Sequence, residues 1–400
     1  MNQAPWCRTA RLCGLLTLLL LPAAGCGGGE GDKPAGLQAE PGWFGAENQA
    51  AGETPAGPPI PSDRIVSLAA VGDVLIHRPL YEDARTRTGF DFSPMLAAVR
   101  QELQHADVAV ANQESVTGGA QLGLSDYPSF NSPQETADAL KEAGIDVVTM
   151  ANNHALDRGE KALRSAIRHW RELGVEYAGA SESMADRSRL RVVEKNGVKL
   201  AFLAFTQGTN GISPPPGKAY LVHRTEERRM RSDIAEARKA ADAVVVSLHW
   251  GREYERLPSA EQRKLAKLAA DAGADIIIGH HPHVLQPLEW IGNNRGGRSL
   301  VVYSLGNFLA AQQQPDLFTR IGAILHADLR LPSASADGTL PRVLVEGVRL
   351  QTTFIRSRDW HGFRVVPLAE AGEADLPRAV EIRSGLQTHL QRWMPELTVR

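Results

Sequence analysis

Cysteine is nearly absent from this chain. There are 3 in 400 residues, and all of them (Cys7, Cys13, Cys26) fall in the first 26. No residue after position 26 can therefore supply a thiolate to zinc, an iron–sulfur cluster or a disulfide. The remaining length is ample for a large apolar core, so covalent staples are unnecessary. An excess of charge of one sign is also lacking: 44 Lys and Arg stand against 46 Asp and Glu, a formal net of −2. No basic stripe interleaved with aromatics exists, which argues against nucleic acid as a partner. The local run ERRMR at 227–231 reads as the solvated face of a helix. The apolar run at 15–21 is interrupted only by Thr17 and is far shorter than the ~20 residues a membrane span needs.

That run follows Arg8 and Arg11 and precedes Ala23-Ala24-Gly25-Cys26. A positive start, a short apolar middle and small residues before a cleavage point are the marks of an export signal. The stretch resembles a bacterial lipobox, with Ala23 where leucine is usual. The resemblance implies that residues 1–26 form a lipoprotein-type signal peptide and that Cys26 is diacylated. The mature chain would be an exported, membrane-anchored lipoprotein of the cell envelope, held to the lipid bilayer through Cys26. Cleavage at the Ala-x-Ala-like stretch and release as a soluble protein is the alternative. Residues 27–62 hold nine Gly and six Pro with little apolar content. Such a composition cannot offset the entropy of ordering and reads as a disordered tether. A flexible coil of ~35 residues reaches on the order of 30–35 Å.

From Arg64 onward, strand-like and helix-like stretches alternate. Apolar stretches at 64–70, 145–150, 198–205, 243–248, 275–279 and 299–308 read as strands, and 132–144, 158–173, 224–241 and 259–273 as helices. Two helices carry explicit start signals: Ser132 as N-cap with Pro133 and Glu135 after it, and Ser259 with Gln262 as a capping box. The alternation predicts βαβ units with mainly parallel pairing. After about residue 320 the helices give way to consecutive strand-like runs, an antiparallel closing portion, with a last helix over 374–393. Residues 63–370 thus form one α/β domain of two packed mixed sheets, and 371–400 a C-terminal helical extension.

Six of the 12 histidines sit in short motifs at or just after apolar runs. The motifs are AAVGDVLIH (Asp73, His77), VAVANQE (Asn112, Glu114), VVTMANNHALD (Asn153, His154, Asp157), VVVSLHWGREY (His249) and DIIIGHHPH (His280, His281, His283). In open α/β sheets, ligands bind beyond the carboxyl ends of the strands. Five strands would therefore deliver oxygen and imidazole donors to one edge, the inventory of a divalent metal site. Asp73, His77, Glu114, Asn153, His249, His281 and His283 are the candidate ligands. One or two ions of Mn, Fe or Zn suit this donor set.

Taken singly, several of these residues have plainer readings. Gly72-Asp73 is an ordinary turn pair, Glu114 a loop glutamate and His249 a satisfied core histidine. His281-Pro282-His283 is harder to dismiss, because three histidines in four residues are costly in a core without metal. His280 reads as a hydrogen-bonding neighbour behind the ligands. His154 is a candidate proton donor. Asp157 reads equally as the N-cap of the 158–173 helix and as the group that orients His154. Arg252 and Tyr254 lie at the same edge as candidate substrate-binding residues, Arg252 reading equally as a solvated loop residue. The YSLGNF stretch at 303–308 reads as pocket wall or a tight turn at Gly306. The other six histidines carry no functional reading.

The motifs GDVLIH, NQES, FNSPQETADALKEAGIDVVTMANNHALDRG, SLHWGREYE, GHHPHVLQP and YSLGNF, spread over residues 66–310, resemble those of the CapA-type poly-γ-glutamate synthesis proteins. The resemblance implies a metallophosphatase-like fold, a four-layer α/β/β/α sandwich. It also implies a role in making, anchoring or exporting an anionic polyamide capsule. A looser resemblance to calcineurin-like metallophosphatases aligns Asp73, Asn153-His154, His249 and His281/His283 with metal-site motifs, with Glu114 near the place of a bridging aspartate. His77 lies two residues off the D-x-H spacing, and His280 stands where glycine is usual. The expected protein is a metal-dependent, hydrolase-like component acting on poly-γ-glutamate or another anionic polymer, alongside capsule synthesis and export proteins of the membrane. A non-catalytic polymer-binding component of an export assembly is the alternative.

The anchor is testable on its own. Cys26→Ala is expected to abolish fatty-acid labelling and move the protein from the membrane to the soluble fraction. A wild-type protein that takes up no label and fractionates as soluble overturns the lipoprotein reading.

Overall fold

Long aliphatic runs become strands here because both of their faces are covered. The computed structural model describes residues 63–312, 317–333 and 342–400. The expectations for the signal peptide, Cys26 and the tether lie outside the described residues. The first sheet has nine strands. From edge to edge run His361–Pro367, Leu344–Arg358, Ile321–Leu331, Arg64–Leu75, Val108–Gln113, Val147–Thr149 and Glu176–Ala178. Asn307–Ala310 also pairs with Arg64–Leu75, and Thr398–Val399 with Leu344–Arg358. The second sheet has six, in the order Arg191–Lys195, Val198–Thr206, Ala243–His249, Ile276–His280, Arg298–Leu305 and Leu285–Gly292. The expected split is present: Arg64–Leu75, Val108–Gln113, Val147–Thr149 and Glu176–Ala178 pair parallel, and the strands after residue 320 pair antiparallel.

The period-two alternation of strand side chains sets the layers. In Ala243–His249, Ala243 and Val245 belong to the large core that joins the two sheets, whereas Val244 and Val246 belong to a second core. Ile276 and Ile278 divide from Ile277 in the same way. The second core is completed by Met230, Ile234 and Ala237 of helix Glu227–Ala240 and by Leu265, Ala266 and Ala269 of helix Ala260–Ala272. Helices Glu135–Glu142 and Gly159–Glu172 bury Leu140, Leu163, Ile167 and Trp170 in the large core. The result is two mixed sheets with helices, the expected α/β architecture.

Three local expectations meet different outcomes. The capping box of Ser259 and Gln262 forms, with both reciprocal bonds present. Ser132 does not cap its helix, which begins at Glu135 after a turn from Pro133 and has no side-chain cap. The Ser132 hydroxyl instead donates to the Ser115 hydroxyl at 2.8 Å, both residues being fully buried. The run at 299–308 is not one strand. It breaks at Gly306 (φ +63°), so that Arg298–Leu305 lies in the second sheet and Asn307–Ala310 in the first. The last segment carries helix Ala379–Leu390 and then the short strand Thr398–Val399, with Leu386, Leu390, Met394 and Leu397 buried.

At Gly306 the two sheets come within backbone contact. A Cβ on Gly72 would lie 1.9 Å from the Gly306 carbonyl oxygen, and the Asp73 N–H donates to that oxygen at 2.9 Å. Gly72→Ala is expected to destabilise the protein by more than ~2 kcal/mol, since backbone itself must move. Gly385 is the control: it lies within helix Ala379–Leu390, and a Cβ there meets nothing within 4 Å. Gly385→Ala is expected to stabilise by ~0.5–1 kcal/mol. Denaturant unfolding of the two variants should show shifts of opposite sign.

Candidate metal centre

The carboxyl ends of the parallel strands place the sequence-predicted donors together. Asp73 ends the straight part of Arg64–Leu75, where the pairing register slips and the carboxylate turns inward. It is fully buried. Its Oδ1 accepts from Asn112 Nδ2 at 2.8 Å, and its Oδ2 accepts from the His281 backbone N–H at 3.2 Å. His283 Nδ1 is 3.1 Å from Oδ2, and His280 Nδ1 is 3.4 Å from Oδ1. Burial alone would raise the Asp73 pKa, but the adjoining His280 and His283 rings hold it well below the usual carboxylate range.

Glu114 follows strand Val108–Gln113 and is also fully buried. Neither of its carboxylate oxygens has a hydrogen-bond partner among the described residues. His249 Nε2 lies 3.4 Å and His283 Nε2 3.8 Å from its Oε1. Burial, followed by the charge of Asp73, pushes its pKa up to about 8. Four more buried ring nitrogens of the same histidines have no hydrogen-bond partner among the described residues: both of His280 and the Nδ1 atoms of His249 and His281. Such atoms are costly to leave unpaired in a protein interior. Burial lowers the pKa of His249 well below 6.5 and that of His281 to about 3, so both rings are neutral and keep a lone pair. For His283, burial also lowers the pKa, but the charges of Glu114 and Asp73 outweigh it and raise the value to about 9.

Two groups of donors stand close enough to share an ion. One atom each from Glu114, His281 and His283 lie within 4.8 Å of one another, and so do atoms from Asp73, Glu114 and His249. Glu114 belongs to both. The backbone bears strain at this point, since His281 (φ +96°) and His283 (φ +59°) adopt left-handed conformations on either side of Pro282. Each such residue costs on the order of 1–3 kcal/mol and persists only where its surroundings impose it.

Around this centre lies a shell of amides. Asn153 Oδ1 faces His249 Nε2 at 2.8 Å, and Asn307 Oδ1 faces His283 Nδ1 at 3.0 Å. Asn307 Nδ2 donates to the Thr319 carbonyl and to Gln312, which fixes the amide's orientation. His154 Nδ1 sits 2.7 Å from Asp157 Oδ2, which also accepts from the Phe130 N–H at 2.7 Å. The Phe130 ring meets the His154 ring edge-on at 4.7 Å. Of the two readings of Asp157, the structure places its carboxylate on His154; Arg158 occupies the N-cap position of helix Gly159–Glu172, with no side-chain cap.

Other predicted residues stand further out. His77 is buried, with Nδ1 2.9 Å from the Leu75 carbonyl and 3.2 Å from the Ala311 N–H, and burial lowers its pKa to about 4. It belongs to neither donor group. Arg252 is 79% exposed and pairs only loosely with Glu255, at 3.4 Å. The Tyr254 ring lies 6.3 Å from that of His283. Sequence reasoning gave no role to Asn112, which donates to Asp73; His280, read as lying behind the ligands, stands 3.4 Å from Asp73 Oδ1. It missed Asn210 altogether. That exposed residue (φ +48°) touches Asn153 Nδ2 through its Oδ1 at 3.3 Å and His154 Nδ1 through its Nδ2 at 3.4 Å. Nothing in a Gly- and Pro-rich loop 56 residues from His154 signals such a contact.

The chain is 32% identical over 297 residues to the "Capsule biosynthesis protein CapA" of Bacillus anthracis, covering 70% of this chain and 68% of that one. It is 32% identical over 261 residues to the "PGA biosynthesis protein CapA" of Bacillus subtilis (strain 168), covering 63% and 65%. It thus spans about two thirds of the length of these relatives. The 5'-nucleotidase precursor of Thermus thermophilus superposes with a TM-score of 0.43 at 15% identity, over 70% of this chain and 54% of that one, a likeness too loose to assign anything. Residues 67–312, which carry every donor described above, match the family described as "Bacterial capsule synthesis protein PGA_cap", and the chain belongs to that family.

Proposed function

We propose that this protein is an envelope-anchored, metal-dependent hydrolase-like component of capsule polymer synthesis, acting on poly-γ-glutamate or a phosphoryl or acyl derivative of it. The observation that carries the reading is Glu114. A carboxylate with both oxygens buried and unpartnered, beside neutral imidazoles with free lone pairs, is a poor structural element and a good half of a cation site. The donor set of carboxylate and imidazole, without thiolate, suits Mn, Fe or Zn. Asp73, Glu114, His249, His281 and His283 would hold one or two such ions, with Asn153 adjoining. A bound divalent ion supplies Lewis acidity toward a phosphoryl or acyl oxygen and lowers the pKa of water.

The chain's own residues supply the rest. Asp157 accepts a hydrogen bond from His154 Nδ1–H, which orients the ring and leaves Nε2 as the atom that would pass a proton to a leaving group. Phe130 packs edge-on against the imidazole and restricts its rotation. Asn153 and Asn307 fix the rings of His249 and His283, the role that neighbours behind metal ligands commonly play. Arg252, exposed, and Tyr254, whose ring lies near that of His283, would hold polymer carboxylates. Names of the relatives support the capsule reading, since both carry biosynthesis of a capsule or of PGA in their descriptions.

Two measurements test this. Elemental analysis of tag-free protein should find at least one of Mn, Fe or Zn per chain, and chelation should lower the melting temperature, because an ion bound only to the folded state stabilises it by ~2.7 kcal/mol at a hundredfold excess over Kd. Glu114→Gln should lose the metal. A native protein with no metal and no thermal response to these ions overturns the site.

His154→Ala should behave differently from Glu114→Gln. It is expected to keep its metal and fold while losing turnover of a phosphoester or poly-γ-glutamate substrate by roughly 10²–10⁴-fold. Loss of metal in His154→Ala would make it a ligand instead of an acid. Polymer binding without any turnover by the metal-loaded native protein would assign the edge to binding alone.

A further inference from the structure

The opposite edge of the sheets carries a feature that the metal centre does not use. A groove of ≈ 770 Å³ lies at the amino ends of the parallel strands. Arg64 at the start of the first strand, Arg298 at the start of another and Arg342 just before Leu344–Arg358 line it. All three are exposed. None has a carboxylate partner among the described residues: Arg64 donates to the Gly197 carbonyl, Arg342 to the Arg295 carbonyl, and Arg298 lies over the Trp290 ring at 4.1 Å. The acids of the groove are otherwise engaged. Asp275 pairs with Arg238 at 2.7 Å and with Arg295 at 2.9 Å, Glu346 pairs with Arg330 at 2.6 Å, and Asp242 accepts from the Lys199 N–H at 2.9 Å. The groove therefore presents three guanidinium groups without a carboxylate partner, against one lining carboxylate, Asp242, that has no cationic side chain on it, beside a half-buried tryptophan and the 42% exposed Leu344.

We propose that this groove is a docking surface for anionic lipid headgroups. Charge is one argument, since arginines with free donors bind phosphate oxygens well and an adjoining tryptophan suits a membrane interface. Chain geometry is the other. Arg64 lines the groove and is the second described residue, so the 62 residues that precede Asp63 join the domain at this edge. The proposal rests on the anchor reading, in which Cys26 holds the chain to a bilayer. If residues 27–62 are the flexible tether that their composition suggests, the mean separation of this edge from the lipid is on the order of 30–35 Å. Held there, the domain would turn the carboxyl ends of its strands, and hence the metal centre, away from the membrane.

The test is flotation of the full-length lipidated protein with phosphatidylcholine vesicles, with and without phosphatidylglycerol. The acyl groups serve both vesicle types equally, so the difference between them isolates the groove. Partition onto the anionic vesicles is expected to be stronger, to fall at high salt, and to drop by roughly fivefold for each arginine lost. The double variant Arg298→Glu, Arg342→Glu should lose the preference, while the double lysine variant, which keeps the charge, should retain it. Equal partition of the native protein on both vesicle types, or a preference that survives charge reversal, overturns the proposal. So does binding of soluble poly-γ-glutamate that depends on Arg298 and Arg342 in the absence of any vesicle preference, which would give the groove to the polymer. Failure of the anchor reading has a separate signature: no partition onto phosphatidylcholine vesicles at all.

Discussion

The contact between Gly72 and Gly306 is the constraint from which the site follows. Two sheets packed through side chains stand ~10 Å apart. Here the second sheet's strand Arg298–Leu305 ends at Gly306, and the chain passes directly into Asn307–Ala310 of the first sheet. With no Cβ at Gly72, the backbones close to hydrogen-bonding distance. That approach delivers Asp73 and Glu114 from one sheet to His249, His280 and His283 from the other. The electrostatics are a result of this placement. Two carboxylates and four imidazoles, nearly all buried, fall into one small volume, and the protein groups around them do not satisfy all of their polar atoms.

Much of this was legible in the sequence, and for a physical reason. Strands covered on both faces must be aliphatic throughout, so runs such as AVVVSL and DIIIG announce themselves. The residue that follows such a run sits at a strand end whatever the details of packing, which is why Asp73, Glu114, His249 and the 280–283 histidines could be placed at one edge. Short edge strands left no such mark. Arg191–Lys195 is largely half-exposed, and Glu176–Ala178 is three residues long.

The misjudged features all depend on partners distant in sequence. Ser132 and Ser259 look alike as helix starts, but only Ser259 is free to cap, because Ser115 holds the hydroxyl of Ser132. The run at 299–308 reads as one strand because both halves are aliphatic. Only tertiary packing shows that Gly306 divides it between two sheets. Asn210 reaches His154 through a loop whose composition signals a turn and nothing more. Local pattern states what a residue can do; which of its options is taken depends on what arrives opposite it.

The left-handed backbone at His281 and His283 limits how these positions can vary. Asparagine enters that conformation more readily than other residues with a Cβ, whereas β-branched residues are nearly excluded from it. The backbone therefore filters substitutions before ligand chemistry does. Asparagine at 283 would remove the imidazole and leave the turn in place, whereas valine would disturb both. A lineage that gave up the imidazole here would pass more easily through an amide than through an aliphatic residue, and the turn itself could outlast the ring it carries.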